Sequence, residues 1–353
     1  MWPRKELQGL LGIEHPIIQA PMSGITTPEL VSAVSNAGAL GSLGCGVVPA
    51  EVIREQVAAV RALTNRGFNL NFFAHPKPSL DNSQSDRARA ALQPYYDELG
   101  LGPVPEPSEP FPTFDDARLE LTLELRPRVV SFHFGLPDPH AVRELKQAGC
   151  AILSSATTVE EARWLQASGA DAIIAQGAEA GGHRGTFTDG VGAGATGTLV
   201  LVPLVADAVR VPVIAAGGIS DGRGIAAAFK LGASGVQIGT AFLGCPETNI
   251  PEEYRAALRI ATDQSTLVTR AFTGRHARVL NNRFSRESET AQGTALNFPL
   301  QAALTMPLGR TANGAVRPDF FPMWAGQDAS AVQELPAGAL VEWLVRDGQM
   351  RLP

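Results

Sequence analysis

The sequence has little cysteine and no basic run, and both absences argue against particular classes of protein. Its 353 residues include three cysteines, Cys45, Cys150 and Cys245, none of them in a CxxC pair. This pattern argues against a disulfide framework or a zinc site and is typical of a reducing cytoplasm. The formal net charge is -6 and lysine and arginine form no run, so no nucleic-acid partner is expected.

Long hydrophobic runs and metal-binding motifs are also missing. No apolar run approaches the roughly 20 residues that cross a membrane, and residues 1–6 lack the hydrophobic region of a signal peptide. We therefore expect a cytoplasmic protein without membrane contact. The six histidines form no HxH or HExxH motif, so no metal site is expected. Hydrophobic residues make up 44% of the chain, which is enough for a large core.

Short apolar runs alternate with helical patterns along most of the chain. Eight runs predict strands, at 15–21, 39–44, 68–73, 129–134, 150–154, 171–175, 211–216 and 235–239. Helical patterns occur at 27–37, 50–63, 138–148, 158–168 and 221–231. Strands that alternate with helices at this spacing pair in parallel. Eight such units within about 240 residues predict an α/β fold, a (β/α)8 TIM barrel.

An open doubly wound sheet is the competing architecture. It would need a dinucleotide-binding fingerprint after the first strand, but that turn reads Ala-Pro-Met-Ser-Gly at 20–24. A GxGxxG match at 192–197 follows a loop instead of a strand and lacks the acidic residue expected about 20 positions later. We interpret it as part of an active-site loop, and the barrel is favoured.

The chain divides into a barrel, a cap and a returning segment. Residues 1–245 are assigned to the barrel, with a Pro-rich insertion at about 74–113 that includes a helical pattern at 85–99. Residues 246–317 show helical patches, notably at 252–262, and no strand alternation, so they predict a helical substrate-binding cap. Residues 318–353 return to the barrel and end in a helix at 335–352.

The most informative motif is the glycine-rich turn at 176–185, directly after the sixth strand. It brings Gln176, Glu179 and His183 together on a loop where glycines allow close approach to a ligand. Active sites of TIM barrels lie in these loops, at the carboxyl ends of the strands. His183 is therefore a candidate general base.

Two further loops have the composition of a phosphate site. Gly217 and Gly218 follow the seventh strand and precede a helix whose free N–H groups could hold an anion. The eighth strand ends in Gln237, Ile238, Gly239 and Thr240, which offer backbone access and a hydroxyl. The loops after strands seven and eight often bind phosphate in such barrels.

Amide side chains at strand ends indicate what the rest of the ligand is. Gln19, Asn71 and Gln176 could converge on the barrel mouth, and amides suit the donor–acceptor edge of a flavin. Three other residues rate lower. Cys45 could face the pocket, but free cysteines more often act as small hydrophobic residues. His133 could face the barrel mouth or be a core histidine. His75 is expected to be solvated.

Together these segments resemble the nitronate monooxygenase family. The resemblance rests on residues 19–22, 69–71, 176–185, 216–219 and 237–240, in order along the barrel. It implies an FMN enzyme with a (β/α)8 barrel and a helical substrate domain. Such enzymes oxidise alkyl nitronates with O₂ to a carbonyl compound and nitrite, without NAD(P)H.

The resemblance also implies roles for single residues. Asn71 and Gln176 would hold the isoalloxazine, and Met22 would lie against the ring through its backbone. The flavin and its phosphate would be lined by Gly181, Gly217, Gly218, Gln237, Ile238, Gly239 and Thr240. His183 would be the catalytic base, with a pKa near the unperturbed value of about 6.5.

Several questions stay open at this stage. A flavin-dependent enoyl-acyl-carrier-protein reductase using NADH shares the barrel and a nearly identical Glu-Ala-Gly-Gly-His turn. A flavin-binding module without turnover is a third reading. The substrate could be a simple alkyl nitronate, a nitroalkane or propionate 3-nitronate, whose carboxylate could meet Arg184, Arg275 or Arg310. The protein could be a monomer or a homodimer.

Overall fold

Eight parallel strands form a barrel in the computed structural model, which describes residues 1–188, 194–288 and 292–352. The strands are β1 (Ile17–Gln19), β2 (Ser42–Gly44), β3 (Asn69–Phe73), β4 (Val129–His133), β5 (Ala151–Ala156), β6 (Ala172–Gln176), β8 (Val213–Ala216) and β9 (Gly235–Ile238), while β7 (Gly182–His183) belongs to a second sheet. Their order is β1-β9-β8-β6-β5-β4-β3-β2, and a parallel bridge from Ile18 to Leu40 joins the ends. All eight predicted strands and the TIM-barrel fold are confirmed.

Helices surround the barrel. They are α1 (Glu6–Leu11), α2 (Pro28–Asn36), α3 (Ala50–Leu63), α4 (Asn82–Glu98), α5 (Asp116–Leu125), α6 (Pro139–Gln147), α7 (Val159–Ala167), α8 (Thr198–Ala208), α9 (Gly222–Lys230), α10 (Glu252–Arg259), α11 (Arg283–Glu287), α12 (Leu300–Thr305) and α13 (Ala337–Arg351). The predicted helices are confirmed, and the side chains of Thr27, Thr158 and Asp221 cap α2, α7 and α9. The sequence pattern missed α1, α5 and α8.

Alternation along each strand decides which side chains face the barrel interior. Leu153, Ile174 and Ile214 point inward, where Leu7 and Leu11 of α1 pack in the same cluster. Their strand neighbours point outward into the layer between strands and helices, among them Ile152, Ile173 and Val213. On β3, β4, β5, β6 and β9 the inward positions nearest the carboxyl ends are polar, namely Asn71, Ser131, His133, Ser155, Gln176 and Gln237.

The cap shares its core with the insertion that follows β3. Leu92 and Tyr96 of α4 pack against Phe272, Leu304 and Phe320 in one apolar cluster. The Tyr96 hydroxyl also donates to the Leu304 carbonyl at 2.7 Å. The insertion therefore supports the cap directly, although the two lie far apart in sequence.

The expectation that residues 246–317 contain no strands is wrong. The hairpin of β10 (Thr266–Thr269) and β11 (Ala277–Leu280) lies within this segment, and β11 pairs with β7 of the barrel loop. The strands have four residues each, and the pairing of Ala277 with His183 is non-local. Strands this short, paired with a distant segment, produce no recognisable alternation of polar and apolar residues in the sequence.

The last helix closes the outside of the barrel. Leu340, Val341 and Leu344 of α13 are buried in the layer that covers the strands, and α13 packs against α9 and α2. This packing is consistent with the predicted return of the chain to the barrel. None of the helices in the described part of the chain has the length and apolar character needed to cross a bilayer.

Leu153 offers a direct test of the barrel core. Leu153→Ala should lower the free energy of unfolding by about 2–5 kcal/mol, because a fully buried side chain is replaced by a cavity. Leu199→Ala, at a site that is 69% exposed, is the matched control and should change it by less than about 0.5 kcal/mol. Equal effects in urea unfolding would contradict the assigned interior.

Candidate active site

A cavity of about 440 Å³ opens at the carboxyl ends of the strands, between barrel and cap. Its barrel side is lined by Met22, Asn71, His133, Gln176, Gly181, His183, Gly217, Gly218, Gln237, Gly239 and Thr240. Its cap side includes Phe272, Thr273, Ala302, Arg310 and Trp324. Of the residues assigned to catalysis or cofactor binding from the sequence, all except Ile238 line this cavity.

Three residues fail to reach the cavity for the same reason. Ile238 and Cys45 belong to the outward-facing layer between strands and helices, and Gln19 has the same strand parity as the outward-facing Ile17. The Gln19 Oε1 atom accepts from the Ser42 amide at 2.8 Å. Burial raises the pKa of the Cys45 thiol to about 12, so this cysteine behaves as a small hydrophobe.

His75 is buried, so the expectation of a solvated side chain is wrong. It is only 3% exposed, because the Phe298 ring of the cap segment packs edge-on against it with 5.0 Å between ring centroids. Burial lowers the pKa of His75 below its ordinary value. The other lower-rated histidine, His133, does face the cavity.

The loop that carries His183 is anchored by the buried guanidinium of Arg184. Its nitrogens donate to the carbonyls of Gln176, Gly177 and Gly194 at 2.7 to 2.9 Å. Burial lowers the pKa of Arg184 to about 10, which leaves it charged at neutral pH. Arg184 does not line the cavity, so it is not available for a substrate carboxylate.

Of the GxGxxG segment, Gly192 and Ala193 lie outside the described residues.

Two carboxylates, the buried Glu161 and the half-buried Glu179, hold the same loop further along. Glu161 accepts from the amide and hydroxyl of Thr157 at 2.7 and 2.8 Å, and from the Phe187 amide at 2.8 Å. Glu179 accepts from the Thr198 amide and hydroxyl at 2.8 to 3.0 Å. Glu179, although part of the motif, is thus a loop anchor rather than a lining residue.

His183 is fixed through both its backbone and its ring. Strand β7 pairs with β11, and the ring Nε2 lies 2.9 Å from the Thr273 hydroxyl. The Thr273 hydroxyl points at the Arg275 carbonyl, 3.5 Å away, so we assign the Nε2 proton to His183 and leave Nδ1 as an acceptor. The Trp324 and Phe298 rings lie 5.2 and 5.3 Å from the imidazole.

This environment keeps His183 neutral. Burial, together with the smaller effects of the neighbouring His133, Arg275 and His75, lowers its pKa to about 3. The expectation of a pKa near 6.5 is therefore wrong. At neutral pH the imidazole is in the form of a base, although a weak one.

Helix α9 does not offer the anion site expected from sequence. The Gly222 amide donates to the Asp347 carboxylate at 2.8 Å. The Arg223 and Gly224 amides donate to the Asp221 carboxylate at 2.8 and 3.2 Å. The first N–H groups of the helix are thus already paired with carboxylates.

The turn before α9 offers an anion cradle instead. Gly217 and Gly218 have φ values of +111° and +67°, which only glycine adopts readily. Across the described part of the chain, the amides of Gly218, Ile219 and Ser220 contact no acceptor. Gly239 and Thr240 lie beside this turn in the cavity wall. Consecutive free amides of this kind bind phosphate groups.

The polar side chains of the cavity also fit the flavin that the sequence resemblance implies. The Gln237 Oε1 atom is buried without a hydrogen-bond partner, and it can accept from a bound ring N–H. Asn71 donates to the Ser131 hydroxyl at 2.9 Å, which leaves its carbonyl oxygen for a ligand. A side chain at Gly181 would collide with Ala325, so glycine is required there.

Two expected cofactor contacts are already made within the protein. The Gln176 Nε2 donates to the His183 carbonyl at 3.0 Å, and its Oε1 accepts from the Gly185 amide at 2.8 Å. The Met22 amide donates to the Thr26 hydroxyl at 3.0 Å. Both residues line the cavity, but both ends of the Gln176 side-chain amide are bonded to the backbone of the loop.

Comparison with known proteins agrees with this geometry. The model of the nitronate monooxygenase family matches residues 4–347. A nitronate monooxygenase from Paraburkholderia phytofirmans is 44% identical over 98% of this chain and 95% of its own length. The chain belongs to the nitronate monooxygenase family. It is an oxidoreductase.

Solved structures place the chain within that family's fold. Nitroalkane oxidase from Streptomyces ansochromogenes superposes with a TM-score of 0.89 at 40% identity, over 98% of both chains. FabK from Thermotoga maritima superposes with a TM-score of 0.75 at 30% identity, over 99% of this chain and 97% of its own. The cavity of this nitronate monooxygenase family member is therefore its candidate active site.

Among the polar and aromatic residues of the cavity that sequence reasoning missed are Ser131, Ser155, Thr273 and Trp324. The two serines occupy inward positions near the ends of β4 and β5, so strict alternation from the neighbouring apolar residues would have found them. Thr273 and Trp324 belong to the cap, where no sequence period indicates their position. Within the described ranges, no group of three His, Cys, Asp or Glu side chains is arranged to bind a metal.

The lowered histidine pKa values predict acid sensitivity. In the unfolded chain His183 binds a proton near pH 6.5, but in the folded protein only near pH 3, so stability is lost as the pH falls below 6.5. The variant His183→Asn lacks this side chain and therefore takes up one proton fewer when it unfolds at acid pH. Between pH 7.5 and pH 5 the parent should lose about 1 to 2 kcal/mol more than the variant in urea unfolding. Identical pH dependence would contradict a neutral, buried His183.

Proposed function

We propose that this member of the family is an FMN-dependent enzyme that oxidises alkyl nitronates with O₂ to a carbonyl compound and nitrite. The observation that carries the proposal is one cavity lined by a neutral His183, by a turn with free amides and by Gln237, whose side-chain oxygen has no hydrogen-bond partner. The family membership and the nitroalkane oxidase neighbour support the same chemistry.

In this proposal the barrel residues divide the cofactor between them. The amides of Gly218, Ile219 and Ser220, beside Gly239 and Thr240, would hold the phosphate. Asn71 and Gln237 would meet the polar edge of the isoalloxazine. When bound, FMN supplies the redox chemistry with the nitronate and O₂, and the protein supplies position and polarity.

His183 would act on the substrate. With its proton on Nε2, bonded to Thr273, its Nδ1 can accept an α-proton from a neutral nitroalkane. A pKa of about 3 makes this imidazole a weak base, although an adjacent nitronate anion would raise that pKa. The site is therefore better suited to nitronates that arrive already deprotonated, which His183 would orient.

The cap decides what the rest of the substrate can be. Its cavity wall includes the apolar side chains of Phe272, Ala302 and Trp324. Of the three arginines considered from sequence, Arg310 lines the cavity, whereas Arg275 lies over the Phe134 ring at 3.9 Å and donates to the Thr186 carbonyl. We propose Arg310 as the cation for a substrate carboxylate such as that of propionate 3-nitronate.

The state of the three cysteines bears on the compartment in which the protein works. Cys45, Cys150 and Cys245 are all buried and unpaired, which fits a reducing compartment, and we propose a cytoplasmic enzyme.

Oxygen uptake tests the proposed function. Purified, FMN-loaded protein given ethyl nitronate or propionate 3-nitronate should consume O₂ and release nitrite without any reduced nicotinamide. No uptake, with oxidation of NADH by an enoyl thioester, would favour the enoyl reductase. No turnover in either assay, with FMN bound, would favour a flavin-binding module.

His183→Asn separates the two substrate forms. We expect the variant to retain FMN but to lose about 100-fold or more of kcat/KM on nitroethane, which needs a general base. The loss on preformed ethyl nitronate should be about tenfold or less, because no proton has to be removed. The parent serves as control in paired assays. Unchanged turnover of nitroethane would remove His183 from the mechanism.

A further inference from the structure

A second histidine of the cavity holds the backbone of the first. The His133 Nε2 atom lies 3.1 Å from the carbonyl oxygen of His183. The Gln176 Nε2 atom donates to the same oxygen at 3.0 Å. One carbonyl on the catalytic loop therefore has two side-chain donors, both from inward positions of barrel strands.

The partners of His133 fix its tautomer. A carbonyl oxygen can only accept, so the Nε2 atom of His133 must carry a proton. The other ring nitrogen, Nδ1, lies 3.0 Å from the Ser155 hydroxyl, which can donate to it. Burial lowers the pKa of His133 to about 4, so both nitrogens keep these roles at neutral pH.

We propose that His133 is a positioning residue that sets the orientation of the His183 imidazole through its hydrogen bond to the His183 carbonyl. The inference rests on the proposed function only in its kinetic part. His133 acts through another residue, and the Ser155 hydroxyl in turn holds the His133 ring in the required tautomer.

The contact matters because it acts on His183 itself, whereas Arg184 and Glu161 tie neighbouring residues of the loop to the barrel. The Arg184 amide donates to the His276 carbonyl at 2.8 Å, and the His183 ring is bonded to Thr273. Both partners lie on the hairpin of β10 and β11 or its turn. His133 and Gln176 thus join His183 to the barrel, where the cofactor cradle lies, and keep the imidazole at a fixed place relative to it.

The position that this contact helps to hold disfavours protonation of His183. The charged or titratable groups near the imidazole are His133 on β4, His75 after β3 and Arg275 on the cap hairpin. Each disfavours a protonated His183. Without the contact to the barrel, the loop could move His183 away from these groups. The pKa of the imidazole would then lie closer to its ordinary value.

A matched pair of variants tests the proposal. His133→Gln keeps an N–H donor at about the reach of the histidine Nε2, whereas His133→Met has similar length and no donor. Both are prepared as the FMN-loaded full chain, with folding checked by circular dichroism. The readouts are the imidazole signals of His183 by nitrogen-15 NMR between pH 8 and pH 5, and kcat and KM on ethyl nitronate.

We expect His183 to remain neutral over this range in the parent and in His133→Gln. In His133→Met its signals should titrate between pH 5 and pH 8, and kcat should fall about 10- to 100-fold with little change in KM, since a small misplacement costs this much. A His183 that stays neutral in His133→Met, or an equal loss in both variants, would overturn the proposal.

Two controls keep the outcomes distinct. If His133→Met does not fold, Ser155→Ala keeps the ring and removes only the donor to Nδ1. Titration of His183 in that variant supports the proposal, and its absence contradicts it. If the parent itself does not turn over nitronates, the proposed function fails, while the NMR comparison still decides the role of His133.

Discussion

The buried guanidinium of Arg184 is the contact on which the site depends. It donates to three backbone carbonyls at both ends of the loop that carries His183, and two of these belong to Gln176 and Gly177 at the end of β6. A buried charge is tolerated only when it is fully hydrogen-bonded, so the loop cannot leave this arrangement without exposing an unpaired cation to an apolar interior. Glu161 and Glu179 add fixed points further along the chain.

This rigidity has an electrostatic consequence. The loop places His183 among Trp324, Phe298 and Phe134, in surroundings that favour the neutral form of an imidazole. A neutral histidine beside a preformed anion cradle gives the enzyme a base without a resident positive charge. Under the proposed function the negative charge comes from the substrate itself, so we expect preformed nitronates to suit the site better than neutral nitroalkanes.

Much of the fold could be predicted because it is local. Each barrel strand is a short apolar run, and caps such as Thr27 and Asp221 mark helix starts. Helix α8 was missed because it is apolar on nearly all sides and has no amphipathic period. The hairpin of β10 and β11 was missed because its partner, β7, lies in a distant loop.

The candidate site could be predicted in its members but not in its electrostatics. Alternation along β9 places Gln237 in the cavity and Ile238 outside it, a distinction that the motif alone does not make. The low pKa of His183 depends on Trp324 and Phe298, which are more than 100 residues away in sequence and reach it only through the folded cap.

Anaerobic mixing of the FMN-loaded protein with ethyl nitronate tests the central claim most directly. The account predicts that the visible absorbance of the bound flavin changes with the nitronate alone, that neutral nitroethane acts far more slowly, and that NADH is not needed. An absorbance that is unchanged by nitronate but bleached by NADH would contradict it.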